Sequence, residues 1–220
     1  MNLAEELALL AYGDDGVADI DSVHLDNGLG GSLLLELALA GRVDVEDKKV
    51  VVRDPAPTGD QLVDRALDRL VSDGRPRRPS HWVAKFAKDT RGPTLDRLVA
   101  EGVLTREQDR VLLVFPRTRY PAPDGVEPAP ETDARQRLAA AVSEAGPVEP
   151  RTAALCALVA ATGLDRKIFR DLDRKLVKAR LKEISEGAWA AAAVKKTIEE
   201  IQAAVVVAVV AATSATAVTS

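Results

Sequence analysis

The residue types that usually carry catalysis or bind metals are few in this sequence and far apart. The single cysteine, Cys156, lies in the apolar run TAALCALVAATG, which favours a small buried thiol. His24 falls in a polar stretch and His81 near the start of a short helix, and both are interpreted as surface or capping residues. The sequence contains no dinucleotide fingerprint, nucleophile elbow or calcium loop. We therefore expect no enzymatic activity, no metal and no cofactor.

The charged residues show one strong asymmetry. Seven basic and two acidic side chains lie between Arg75 and Arg97, so this basic segment carries +5 in a chain whose overall charge is −4. A basic patch on an acidic protein indicates a local anionic partner. Guanidinium groups bind phosphate through paired hydrogen bonds, and ammonium groups contribute a point charge. The segment therefore predicts a phosphate-binding surface, with a merely solvated helix face as the alternative.

Two features bear on membranes. Trp82 and Phe86 lie four residues apart in the basic segment; core packing is favoured, and dipping into a membrane interface is the alternative. The longest apolar run, from Ala203 to Ala212, has ten residues, whereas a crossing needs about 20, so it predicts no transmembrane helix. The first residues carry Glu5 rather than positive charge, so we expect no secretory signal and a cytoplasmic location.

Hydropathy patterning predicts helices as the elements that position these residues. Apolar residues make up 46% of the 220 residues and aromatic residues only 3%, a composition typical of an ordinary globular protein apart from its few aromatics. Capping boxes are predicted at Asn2 with Glu5 and at Thr58 with Gln61. The predicted helices cover about 3–11, 29–40, 58–71, 80–88, 94–101, 131–144, 150–162, 166–185 and 188–212.

Two short alternating stretches predict β-hairpins within this helical pattern. The first covers 43–52, with a turn at Asp47 and Lys48, and the second covers about 103–115. We predict a mainly α fold, a single-domain helical bundle with two small β-hairpins. The domain is expected to span 1–212, followed by a disordered tail at 213–220.

Several sequence runs occur in an order that points to one family. They are LAEELALLA at Leu3, GLGGSLLLELALAGRV at Gly28, APTGDQLVDRAL at Ala56 and LDRLVAEGVLT at Leu95, followed by a helical end with GAWAAAAVKKTIEEIQ. Their order resembles the Golgi phosphoprotein 3 family, peripheral membrane proteins that recognise phosphatidylinositol 4-phosphate. The low aromatic content and the Ala, Val, Asp and Arg usage resemble a bacterial, actinobacterial, member.

The resemblance implies a lipid-headgroup pocket on a basic face of a mostly helical domain. The family's two basic residues, three apart and upstream of LDRLVAEGVLT, fall on Lys88 and Arg91. Arg78 and Lys85 are neighbouring basic residues and complete the expected headgroup site.

Two other pocket positions depart from the family pattern. An arginine falls on Gly30, and a tryptophan falls on Asp21. Anionic phospholipids of the phosphoinositide type are the ligands that the resemblance implies, held by the basic residues that remain.

The resemblance also assigns a role to the segment from Thr105 to Tyr120. In the family this hairpin contributes to self-association and membrane contact. Here Leu112 and Phe115 supply apolar surface, and Arg117 and Arg119 supply charge. A homo-oligomer formed through this hairpin is one expectation, and an ordinary packed hairpin is the alternative.

The preferred function is therefore a non-enzymatic, cytoplasmic peripheral membrane protein. A winged-helix DNA-binding regulator is one alternative, because a helix, Gly102 and a basic hairpin follow one another. The presumed recognition helix LDRLVAE has one basic and two acidic side chains, so nucleic acid is not the expected partner. A protein-binding adaptor that has lost lipid specificity is the other alternative.

Overall fold

The chain folds mainly into α-helices, as predicted. The computed structural model describes residues 1–111, 115–186 and 192–217, and only the backbone of residues 109–111, 115–116, 186, 192–195 and 215–217. Two antiparallel β-hairpins accompany the helices within this described part. The helices are α1 (Leu3–Ala11), α2 (Ser22–Leu39), α3 (Gln61–Asp73), α4 (Pro79–Ala87), α5 (Arg91–Ala100), α6 (Ala129–Ser143), α7 (Pro150–Thr162), α8 (Asp165–Ile168), α9 (Arg174–Glu186) and α10 (Ala192–Ala217).

Both predicted hairpins form. In the first, β1 (Val43–Glu46) pairs with β2 (Lys49–Val52) across a turn in which Asp47 and Lys48 have φ of 48° and 60°. Two successive residues with positive φ are typical of a type I′ turn, which matches the twist of a hairpin. The second hairpin joins β3 (Glu107–Val111) to β4 (Phe115–Arg119), a few residues later than predicted.

The start of α2 is the largest difference from the predicted helices. The sequence predicts a loop up to residue 28, yet α2 begins at Ser22. The Asp21 carboxylate accepts hydrogen bonds from the backbone N–H groups of Val23 and His24, which caps the helix seven residues earlier than predicted. The extra turns bring Asp26 and Asn27 onto the helix.

Other helix ends confirm or correct the capping signals. The capping box of Asn2 and Glu5 is present. The predicted box at Thr58 is wrong: Asp60 caps α3, because its carboxylate accepts from the N–H groups of Leu62 and Val63. Helix α4 has Arg78 at its N-cap position and Pro79 in its first turn.

The C-terminal third also departs from the predicted boundaries. The single helix predicted over 166–185 is two helices, because Asp173 accepts hydrogen bonds from the N–H groups of Lys175 and Leu176 and starts α9 anew. The predicted tail begins at 213, but α10 is helical to Ala217. Residues 218–220 lie outside the described part.

Helix α2 is the centre of the core, with α1, α4, α7 and α10 packed around it. Trp82 and Phe86 of α4 are each 1% exposed, so the core interpretation is confirmed and the aromatic pair does not reach a membrane. Cys156 on α7 is equally buried, and burial raises the pKa of its thiol to about 12. A thiol in that state is an inert core side chain, as predicted.

Two glycines let α4 and α10 approach α2 closely. A Cβ on Gly30 would lie 2.5 Å from the carbonyl oxygen of Val83 and 2.8 Å from the amide nitrogen of Ala87. A Cβ on Gly31 would lie 2.3 Å from a methyl group of Val205. Real side chains do not tolerate contacts this short with backbone, so α4 packs against α2 only because residue 30 is glycine.

We predict that Gly30→Ala lowers the free energy of unfolding by about 1–3 kcal/mol, because the added methyl group must push α4 away from α2. Denaturant unfolding followed by circular dichroism measures this change. Gly92→Ala is the matched control, since no atom outside its chain neighbours and its own helix backbone lies within 4 Å of the position that its Cβ would occupy. Equal stability of the two variants would contradict the packing assigned to Gly30.

Candidate functional site

A groove of about 890 Å³ opens on the surface between α4, the first turns of α2 and the end of α10. Four cationic residues lie along it: Lys49, Arg77, Arg78 and Lys88. We call it the cationic groove. One wall is apolar, and it is formed by Ala84 and Ala87 of α4 and by Val207, Ala208 and Ala211 of α10. A surface with both cations and an apolar wall suits an amphiphilic anion better than a simple salt ion.

Lys49 reaches the groove through the first hairpin. The backbone N–H of Val50 donates to the carbonyl oxygen of Arg77 over 2.8 Å, so β2 runs beside the segment that leads into α4. This bridge places Lys49 close to Arg77 and Arg78. The proximity arises from the β-bridge between Val50 and Arg77, which are 27 positions apart in the sequence. A contact over this separation cannot be predicted from local residue spacing.

Three of the four cations are available for a ligand. Lys49, Arg78 and Lys88 are exposed, and none of them forms an ion pair with a residue in the described ranges. Arg77 is different, since its Nε lies 2.8 Å from the Asp73 carboxylate. Unpaired cations around one groove produce a positive potential that attracts phosphate.

The predicted residue Lys85 lies outside this groove. Its ammonium group is 4.7 Å from the centre of the Trp82 ring and 3.9 Å from an Asp73 oxygen. These contacts hold Lys85 against the flank of α4. Of the four residues predicted for headgroup binding, Lys88 and Arg78 line the groove, whereas Lys85 and Arg91 are not among its lining residues.

Arg91 connects α5 to the first turns of α2. Its Nε lies 2.7 Å from the Asp26 carboxylate, and one terminal nitrogen donates to the carbonyl oxygen of Ser22 over 2.7 Å. Asp26 itself lines the groove. Arg91 therefore neutralises the Asp26 carboxylate in the groove wall.

The pKa values of two groove residues, Asp26 and His81, are shifted by their surroundings. Partial burial raises the pKa of Asp26, against the opposing effect of Arg91. Burial, followed by the positive charges of Arg77 and Lys85, lowers the pKa of His81. His81 is therefore neutral at pH 7, and the cations near it already disfavour further positive charge.

Only some of the hairpin residues named in the sequence prediction are among the described residues. Leu112 lies outside the described residues, and Phe115 is described only as the first backbone position of β4. Arg117 lies opposite Asp109 in the register, and Arg119 forms a cross-strand ion pair of 3.0 Å with Glu107. The role of this hairpin in self-association or membrane contact stays a prediction.

Sequence reasoning missed the contributions that three other parts of the chain make to the groove. Lys49 comes from the hairpin, Asp26 from a segment predicted as loop, and Val207 from the last helix. Among the described residues no three His, Cys, Asp or Glu side chains come together in a metal-binding arrangement.

A mainly helical domain with a cationic groove beside an apolar helix is the class of protein that these observations define. Its family follows from comparison with known families: the family described as Golgi phosphoprotein 3 (GPP34) matches residues 3–201. The chain therefore belongs to the Golgi phosphoprotein 3 family, and the resemblance drawn from its sequence is confirmed.

The structure shows the roles of the two residues that depart from the pocket pattern expected from the resemblance. Gly30 faces the backbone of α4, so an arginine could not stand there without moving that helix. Asp21 serves as the N-cap of α2. Neither Asp21 nor Gly30 lines the groove, whose cations are Lys49, Arg77, Arg78 and Lys88.

Arg97 belongs to the basic segment but has a structural role. Its Nε lies 2.8 Å from the Glu5 carboxylate, and a terminal nitrogen lies 2.7 Å from Asp60. The Glu5 side chain is fully buried, and burial raises its pKa, with Arg97 among the groups that oppose the rise. Arg97 therefore supplies the countercharge for a carboxylate inside the protein.

We predict that Arg97→Ala lowers the free energy of unfolding by about 3 kcal/mol or more at pH 7, because it removes the countercharge of the buried Glu5 carboxylate. A buried carboxylate with a raised pKa favours the folded state most at low pH, so the deficit should shrink as the pH falls and Glu5 binds a proton. Denaturant unfolding at pH 7 and pH 4.5 measures both effects.

Arg106→Ala is the control for this prediction. It removes an exposed ion pair with Asp96, which should cost less than about 1 kcal/mol at either pH. A similar small loss for Arg97→Ala would show that Glu5 does not depend on Arg97.

Proposed function

We propose that this chain is a non-enzymatic peripheral membrane protein, located in the cytoplasm, that binds anionic phospholipid headgroups in the cationic groove. Phosphoinositides such as phosphatidylinositol 4-phosphate are the proposed ligands, in keeping with the family. The observation that carries the proposal is the position of Lys49, Arg78 and Lys88, which form no ion pair with any described residue and lie around one groove that also has an apolar wall.

The three cations and the wall match different parts of a phospholipid. Arg78 can form paired hydrogen bonds with a phosphate, while Lys49 and Lys88 add point charges on either side. The alanines and Val207 offer apolar surface for the glycerol region and the first acyl carbons. A free phosphate ion would contact the cations but not the apolar wall.

The DNA-binding alternative gains no support from the arrangement of α5. Two of its basic residues are already occupied, since Arg91 binds Asp26 and Arg97 binds Glu5 and Asp60. A recognition helix needs free cations along its outer face. A protein adaptor without lipid binding stays the outcome to which failure of the vesicle experiments would point.

Removal of the three cations tests the proposal. We predict that Lys49→Ala, Arg78→Ala and Lys88→Ala together weaken binding to vesicles with phosphatidylinositol 4-phosphate by about a hundredfold, since each charge contributes about 1 kcal/mol near an anionic surface. Co-sedimentation with the vesicles measures the loss. All three side chains are exposed, so the variant should fold like the parent.

The matched control removes the same charges elsewhere. Arg174→Ala, Lys175→Ala and Lys178→Ala together delete one arginine and two lysines from the exposed face of α9. This variant has the same net charge as the groove variant. Equal binding by the two variants would show that total charge, not the groove, determines binding.

Asp26 gives a prediction of opposite sign. Asp26→Asn keeps an acceptor for Arg91 but removes the negative charge from the groove wall, so vesicle binding at pH 7 should increase about fivefold. Because burial raises the pKa of Asp26, the parent should gain affinity as the pH falls and the carboxylate is protonated, and the variant should lack that part of the gain. Protonation of His81 adds to the gain in both proteins.

Asp96→Asn is the control, since it also removes an ion-paired aspartate but lies outside the groove. Unchanged or weaker binding by Asp26→Asn would contradict a headgroup site at this wall.

A further inference from the structure

The last helix presents valine side chains to solvent beside the cationic groove. Val206 is 42% exposed, and Val207 and Val210 are each 57% exposed. Helical spacing places them on one side of α10. We call this surface, with Ala203 and Ala211, the valine face.

The valine face is only one side of a helix whose other side is in the core. The stretch Lys196–Ser214 is, within the described residues, long and apolar enough to cross a membrane by length and composition, longer than the ten-residue run seen in the sequence. However, Val205 and Val209 are buried, and Val205 packs against Gly31 of α2. The helix cannot be surrounded by lipid while this packing persists, so only the valine face is available to a membrane.

The hydroxyl groups near the end of the valine face form hydrogen bonds within α10 itself. The hydroxyl groups of Thr213 and Ser214 donate to the carbonyl oxygens of Val209 and Val210 over 2.8–3.1 Å. A hydroxyl that is hydrogen-bonded to its own helix costs less to remove from water. The apolar surface therefore extends as far as Ser214 with little polar penalty.

The valine face and the cationic groove are continuous. Val207 and Ala211 belong to the face and also line the groove that contains Arg78 and Lys88. An anionic membrane offers the same pairing of chemistries, with phosphate groups at the surface and hydrocarbon a few ångströms below. A soluble anion would leave the valines in water.

We propose that the valine face inserts into the interfacial layer of the membrane whose headgroups the groove binds, with α10 lying in the plane of the membrane. This inference rests on the proposed function and adds to it a second, apolar contact. A second copy of the chain fits the face less well. The surface that three half-exposed valines and two alanines offer is far smaller than the ~800 Å² that each partner buries in a stable interface.

The double variant Val206→Ser and Val210→Ser tests the face without touching the groove, because neither residue lines it. We expect binding to vesicles of phosphatidylcholine with phosphatidylinositol 4-phosphate to weaken about tenfold, from lost apolar transfer. Binding of a water-soluble glycerophosphoinositol phosphate should not change. The matched control, Val126→Ser and Leu176→Ser, alters two residues of 67% and 70% exposure away from α10 and should bind vesicles like the parent.

A fluorescent label reports insertion directly. Val210→Cys can be labelled selectively with an environment-sensitive dye, because Cys156 is buried and the pKa of its thiol is raised. We expect a blue shift on vesicle addition and quenching by brominated acyl chains. The same dye on Val126→Cys should show neither effect.

The outcomes separate this inference from the proposed function. Unchanged vesicle binding by the valine variant, or an unshifted dye at residue 210, overturns the inference while the groove proposal stands. If the valine variant loses vesicle binding while the groove variant binds like the parent, the valine face is supported and the groove proposal is overturned. A parent that binds no vesicles overturns both. A parent dimer that the valine variant converts to monomer assigns the face to a second copy and overturns membrane insertion.

Discussion

The backbones of α2 and α4 meet at Gly30, where any side chain would collide with the Val83 carbonyl group. Gly31 gives α10 a similar approach through Val205. Because both helices lie so close to α2, their outer residues border one shared groove rather than two separate surfaces. The arrangement of cations and apolar side chains at that groove therefore depends on two positions that carry no side chain at all.

The same packing accounts for how the basic residues are divided between structure and ligand. Arg97 and Arg91 face inward to carboxylates on α1 and α2, and a similar pairing joins Arg151 of α7 to Glu6 and Glu36. These ion pairs fix the positions of the helices at their ends. Lys49, Arg78 and Lys88 lie on the outside and stay exposed, which is the condition for binding a phosphate.

The sequence was sufficient to predict the helical fold, both hairpins, the buried aromatic pair on α4 and the family, because these depend on local periodicity and on motif order. It grouped Lys88 and Arg78 with Arg91 as headgroup residues, but it could not separate them from Arg91, since ion pairing with Asp26 needs the three-dimensional fold. Lys49 and Val207 could not be predicted at all, because a β-bridge and a helix crossing bring them to the groove.

Co-sedimentation of the parent protein with a series of vesicles, at about physiological ionic strength, tests the central claim most directly. The series comprises neutral phosphatidylcholine, phosphatidylinositol 4-phosphate in phosphatidylcholine, and another anionic lipid at matched surface charge. The account predicts no binding to neutral vesicles, binding to anionic vesicles that weakens with added salt, and tightest binding to the phosphoinositide. Equal binding to neutral and anionic vesicles, or none to either, would contradict it.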